Sequence, residues 1–158
     1  MKAQRVDGLV PEMELDDAAR RIVAMRTAEL YAFVPEALGE RAASAMHDMR
    51  IAAKRLRYLL EIVGFCFGEV GGEAQARARE LQDVLGEIHD CDVMLARIAA
   101  SRGREPDGFD ALAERFGDRR SKQYARFTAL WDAIEESGLR DRLLATTFSS
   151  PPQAPVGA

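Results

Sequence analysis

Four side chains that bear charge or bind protons recur along one stretch of the sequence: His47, Arg50, Lys54 and Arg57, at intervals of three, four and three residues. On an α-helix successive residues turn by about 100°, so these intervals stack the four groups along one stripe. The other side of the same helix carries Met49, Ala52, Ala53, Leu56, Leu59, Leu60 and Val63, a broad packing face. A ladder of Arg, Lys and His suits the gripping of oxyanions. An Arg fork donates two parallel hydrogen bonds to a phosphate, and Lys supplies a mobile point charge. Like charges one turn apart repel by roughly a few tenths of a kcal/mol per pair. The stripe is therefore a slight liability unless a bound anion or nearby carboxylates neutralise it. The competing reading is a solvated face balanced by Asp48 and Glu61.

A second cationic group, Arg119, Arg120, Lys122 and Arg126, lies in RRSKQYARFTALW (119–131). The apolar stripe there is Phe109, Leu112, Phe116, Phe127, Leu130, Trp131 and Ile134. In its middle two turns Arg120 and Gln123 take that face, with Arg119 and Tyr124 at its margins. These cations are expected to be second-rank anion contacts on an adjacent helix; the alternative is an exterior salt-bridged with Glu114 and Asp118. Arg26 and Asp92 also fall inside the apolar stripes of their own helices. An unpaired buried charge is very costly, so these two are expected to form a structural polar pair, with the cations of the 47–57 row as other candidates to face Asp92.

Other chemistries find little support. The chain has no P-loop, no GxSxG, no zinc motif and no clustered carboxylates for magnesium, so no catalytic residue is expected and the chain is not read as an enzyme. His89 and Asp92 are three residues apart, and His47 with Asp48 could approach them. Divalent sites in helix bundles are built from a Glu-x-x-His repeat on two helices, however, and none occurs. Neither a metal nor a cofactor is expected. Cys66 and Cys91 lack metal-binding spacing and read as reduced core thiols.

The elements that must position these groups are all helical. A polar arm (1–12) precedes a first helix from near Leu15 to Val34, with Leu15, Ala19, Ile22, Val23, Leu30 and Phe33 on one side and a stop imposed by Pro35. The second helix, with Ser44 as N-cap, carries the His47 row and gives out between Gly64 and Gly68. Gly71-Gly72 is read as a tight turn. A third helix from about Glu73 to Ala100 packs through Leu81, Val84, Leu85, Ile88, Cys91 and Leu95. The loop 101–108 leads to a fourth helix, Phe109 to Ser137, then a short amphipathic piece, Leu139 to Phe148, and a proline-rich tail (149–158) of disordered composition. No strand pattern competes. The expected fold is an all-α antiparallel four-helix bundle with long helices, one domain over 13–148.

Length and charge agree with this. The 158 residues suit one domain. A net charge of −4 excludes a general DNA-binding protein, so anion binding must come from local clustering. No run approaches the length of a membrane span and the first residues lack an apolar signal core, so a cytoplasmic location is expected.

The motifs HDMRIAAKRLRYLLE (47–61) and LQDVLGEIHDCDVMLARI (81–98) resemble the CHAD family of α-helical domains, which often occur beside triphosphate tunnel enzymes. The resemblance rests on His47, Arg50, Lys54, Arg55, Arg57 and Tyr58 in the first block, and on Leu81, Gln82, Leu85, Gly86, Asp90 and Asp92 in the second. Family members usually contain two such bundles, whereas this chain shows the basic block once; a homodimer could supply the missing half. What the resemblance implies is binding of inorganic polyphosphate, often at polyphosphate granules, through basic helical faces. The rivals are a scaffolding or regulatory bundle that grips an acidic protein partner, and a metal-dependent phosphohydrolase. No specific nucleic acid and no membrane is expected as a partner.

Overall fold

The computed structural model describes residues 2–101 and 106–148, and every regular element among them is helical. Helix α1 spans Leu15–Ala32 and opens on Asp16 and Asp17, carboxylates that complement the positive end of the helix dipole. It stops at Ala32, two residues before the expected Val34, and a single-turn helix α2, Val34–Ala37, takes Pro35 in its first turn, so that the residue before the proline is itself helical. Helix α3 spans Ala43–Val63. Ala42, not Ser44, occupies its N-cap, and no side chain caps the helix, so Ser44 lies inside the first turn.

A 3-10 turn, Gly64–Phe67, follows α3, and the chain reverses at Gly68, whose φ of 59° is a left-handed value that favours glycine. Helix α4 begins there and runs Gly68–Ser101, 34 residues or about 51 Å. The Gly71-Gly72 pair is thus helical and not a turn. Gly71 is buried because its backbone lies against the Gly64 carbonyl, where a β-carbon would collide. Between α3 and α4 the positive φ falls at Gly68, and the chain reverses there. Helix α5 spans Pro106–Glu136 and begins on proline at a position where its missing N–H costs nothing. The expected loop therefore ends before Pro106, and residues 102–105, like the tail 149–158, lie outside the described residues. Helix α6, Leu139–Phe148, follows a left-handed Gly138.

The four long helices pack against one another: α3 against α1 and α4, and α4 against α5. Helix α6 leans on α1 and α4. The core on α3 holds the expected Met49, Ala52, Ala53, Leu56, Leu60 and Val63, buried against Leu81, Val84, Leu85 and Ile88 of α4; Met46 joins it unexpectedly, and Leu59 is only partly buried. Each fully buried Leu, Ile or Met contributes roughly 1.5–3 kcal/mol. Trp131 of α5 is buried with Tyr31 of α1 edge-on to it, ring centroids 5.0 Å apart. Tyr124 of α5 donates to the Leu38 carbonyl at 2.6 Å, tying α5 to the end of α2. Leu15, expected in the packing face of α1, is 57% exposed because it occupies the first position of that helix.

The arm lies along α1. The Gln4 N–H donates to Glu29 Oε1 at 2.5 Å, and Arg26 donates to the Gln4 carbonyl at 3.0 Å and to Glu29 Oε2 at 2.6 Å. Glu29 is buried, and this double engagement satisfies it.

Candidate functional site

The helical register of α3 places Met49, Ala52, Ala53 and Leu56 inward, and that burial leaves His47, Arg50, Lys54 and Arg57 along its margin, spanning about 15 Å. The four are not equivalent. Arg57 Nε donates to Glu61 at 2.9 Å, its Nη1 donates to Gln82 Oε1 of α4 at 3.2 Å, and its guanidinium lies 4.8 Å from the centroid of the Tyr58 ring. It is thereby fixed and half neutralised. Lys54 is exposed, with its ammonium 5.7 Å from the same ring centroid. Among the described residues no carboxylate lies within 4.0 Å of Arg50 or Lys54, in a chain that has 26 acids to 22 bases. Arg50 Nε is buried and makes no hydrogen bond.

Arg50 opens into a cleft of about 910 Å³ between α3, α4 and α5, with Arg126 and Gln123 of α5 on its wall. Arg126 donates to Gln123 at 3.1 Å, a neutral partner that leaves its charge uncompensated. Glycine at position 86 leaves the floor low: a β-carbon there would sit 3.9 Å from Arg50 Cδ. Of the four carboxylates that line the cleft, Glu80 is paired with Arg77 at 2.8 Å and Glu87 with Arg119. Among the described residues Asp83 and Asp90 make no ion pair within the cleft, though their charges act on Arg57 and Arg119, and they line it together with Arg50 and Arg126. Lys54 and His47 lie beside Arg50 on the α3 edge, outside the cleft lining.

His47 meets a residue of α4. Its ring centroid lies 4.5 Å from that of His89, with the rings inclined at 41°, and its Nδ1 is buried without a hydrogen-bond partner. Desolvation first, then the His89 ring and the Arg50 charge, hold the His47 imidazole below its ordinary pKa of 6.5. The free protein thus keeps this ring neutral at pH 7.

The second cationic group divides. Arg126 joins Arg50 across the cleft. Arg119 is spoken for by Glu87. Arg120 turns inward and donates to Asp92 Oδ1 at 2.6 Å, with 14% and 23% of the two side chains exposed. Lys122 is exposed and lines a separate groove on α5 with Leu112, Arg115 and Phe116. The expected Arg26–Asp92 pair does not form. Arg26 has Glu29 one turn along its own helix, and Asp92 faces α5, which packs directly on α4.

Among the described residues no group of three or more His, Cys, Asp or Glu is arranged to hold a metal ion, and no helix is long and apolar enough to cross a membrane. The residues the sequence underrated are Gln82 and His89 of α4, which fix Arg57 and crowd His47. Both stand in the second motif block, and His89 lies at the edge of the α4 apolar stripe, a position from which a polar ring reaches the neighbouring helix.

A family model described as the CHAD domain matches residues 3–99, well over half of the chain, so the chain belongs to that family. No match was found among curated proteins or among solved structures.

Proposed function

We propose that this CHAD-family chain is an inorganic polyphosphate-binding module, and that it holds the polyanion along the edge of α3. The family is associated with polyphosphate. The observation that carries the reading onto these residues is that Arg50 and Lys54 have no carboxylate partner among the described residues, although acids outnumber bases. His47, Arg50 and Lys54 form the primary contacts, Arg126 meets the chain from across the cleft, and Arg57 contributes a share of its charge. Arg119 and Arg120 serve α4 in place of the ligand, and Lys122 guides from its own groove. Binding needs no hydrolysis. A second copy of the chain would extend the cationic row, and a cytoplasmic or granule location would bring the module to its ligand.

The test is titration with long-chain polyphosphate at several salt concentrations, beside polyglutamate at matched charge. Phosphate binding through four to six contacts predicts a log–log salt slope of roughly −3 to −4, by analogy with single strands. Replacing Arg50 and Lys54 together by Ala is expected to weaken binding at least tenfold, about 1.4 kcal/mol, with helicity unchanged. Equal affinity for polyglutamate would move the assignment to an acidic protein partner, and phosphate release with magnesium or manganese would make the chain a hydrolase.

A further inference from the structure

His89 is not among the residues expected to bind the anion, yet its ring packs against that of His47. Two imidazoles with centroids 4.5 Å apart, beside Arg50, cannot both become cations cheaply. Among the described residues, the groups acting on His47 are the His89 ring of α4 and, on α3, Arg50, which oppose its charge, and Asp48, which favours it. On α4, Asp92 lies one turn beyond His89 and is occupied by Arg120 of α5. On the other side of α3, the Arg26–Glu29 pair of α1 is closed on itself, and Glu36 of α2 is exposed. The balance around His47 is therefore repulsive to an added proton, and burial of its Nδ1 without an acceptor adds to the penalty.

A phosphate chain on the α3 edge reverses that balance, because its charge lies against Arg50 and the His47 ring. Resting on the polyphosphate reading above, we propose that His89 completes the phosphate site with His47, and that this pair takes up a proton when phosphate binds, making the affinity pH-dependent. No bond is made or broken. The proton comes from solvent and resides on the imidazole pair, where phosphate oxygens offset its charge. Internal phosphates of a long chain carry a single strongly acidic oxygen and do not titrate near neutrality, so the uptake belongs to the protein.

The experiment is calorimetric titration of the full chain with long-chain polyphosphate between about pH 8 and about pH 6, in two buffers of different ionisation enthalpy. The expected result is an affinity about three- to tenfold higher at the acid end, with up to one proton taken up per site near neutrality. The chain has only two histidines, so NMR of their ring protons, assigned with His89→Gln, reads the same event directly. Polyphosphate should move the His47 titration to higher pH, and His89→Gln should flatten the affinity profile. Binding that is unchanged over the whole range, with no proton uptake, overturns the pair and leaves the cation row standing. Uptake that persists undiminished in both His47→Gln and His89→Gln overturns it as well. Absence of binding at every pH removes the cation row and the pair together.

Discussion

The Arg120 guanidinium closes on Asp92 at 2.6 Å, joining the two charges that interrupt the apolar stripes of α5 and α4. Neither helix could keep its own intruder alone, since each would be a largely buried, uncompensated ion. Their union makes a largely buried polar pin between α4 and α5, beside the more exposed Arg119–Glu87 pair.

Removing one half of that pin is expected to hurt more than removing both. Arg120→Leu should destabilise the fold by roughly 2–3 kcal/mol, while Arg120→Leu combined with Asp92→Leu should recover much of the loss. Urea melts of the two single variants and the double variant measure the coupling directly.

Glu61 neutralises part of the proposed phosphate-binding row through its 2.9 Å bond to Arg57. Glu61→Gln keeps a hydrogen-bond acceptor and frees the charge, so polyphosphate affinity should rise by about two- to fivefold at low salt, with the difference fading as salt screens it. Parallel titrations at two ionic strengths check this.

Two adjacent glycines in the first turn of α4 should respond in opposite directions to alanine. A β-carbon at Gly71 collides with the Gly64 carbonyl, backbone that cannot rotate away, and Gly71→Ala should cost about 2 kcal/mol or more. Gly72 faces open space in the same helix, and Gly72→Ala should stabilise by about 0.5–1 kcal/mol. Thermal melts of the pair suffice.

The fold should weaken in mild acid through His47. Its imidazole is held below 6.5 by desolvation, His89 and Arg50, whereas the unfolded chain keeps the ordinary value. As the pH falls through 6.5 the unfolded state takes up the proton first, so stability is full above that value and declines toward the lower folded value. His47→Gln should lose less stability than the parent chain between about pH 7 and about pH 5, measured by urea unfolding.

Much of this was legible from spacing alone. The inward face of α3 and the row of His47, Arg50, Lys54 and Arg57 along its margin follow from one period, because burial of Met49 and Leu56 sets the angle of every other side chain. The misplaced features are those that depend on a neighbour. That Arg26 and Asp92 each needed a partner was readable; that the partners were Glu29 and Arg120 was not, because a stripe records depth and not which helix stands opposite. Gly71-Gly72 carried the composition of a turn, and only the close approach of Gly64 explains glycine inside a helix there. The division of the second cationic group turned on Glu87 and Asp92, which lie about thirty residues away in sequence.

Helix α3 is clasped from behind by α1 and by the full reach of α4 before any ligand arrives. A basic segment that had to fold around its polyanion would surrender entropy at every contact. Here the backbone has already lost that freedom in folding, and the proposed guest would order only the outer reach of a few side chains. Weak individual contacts can then add up, which is what a repetitive ligand with no distinguishing feature demands of its host.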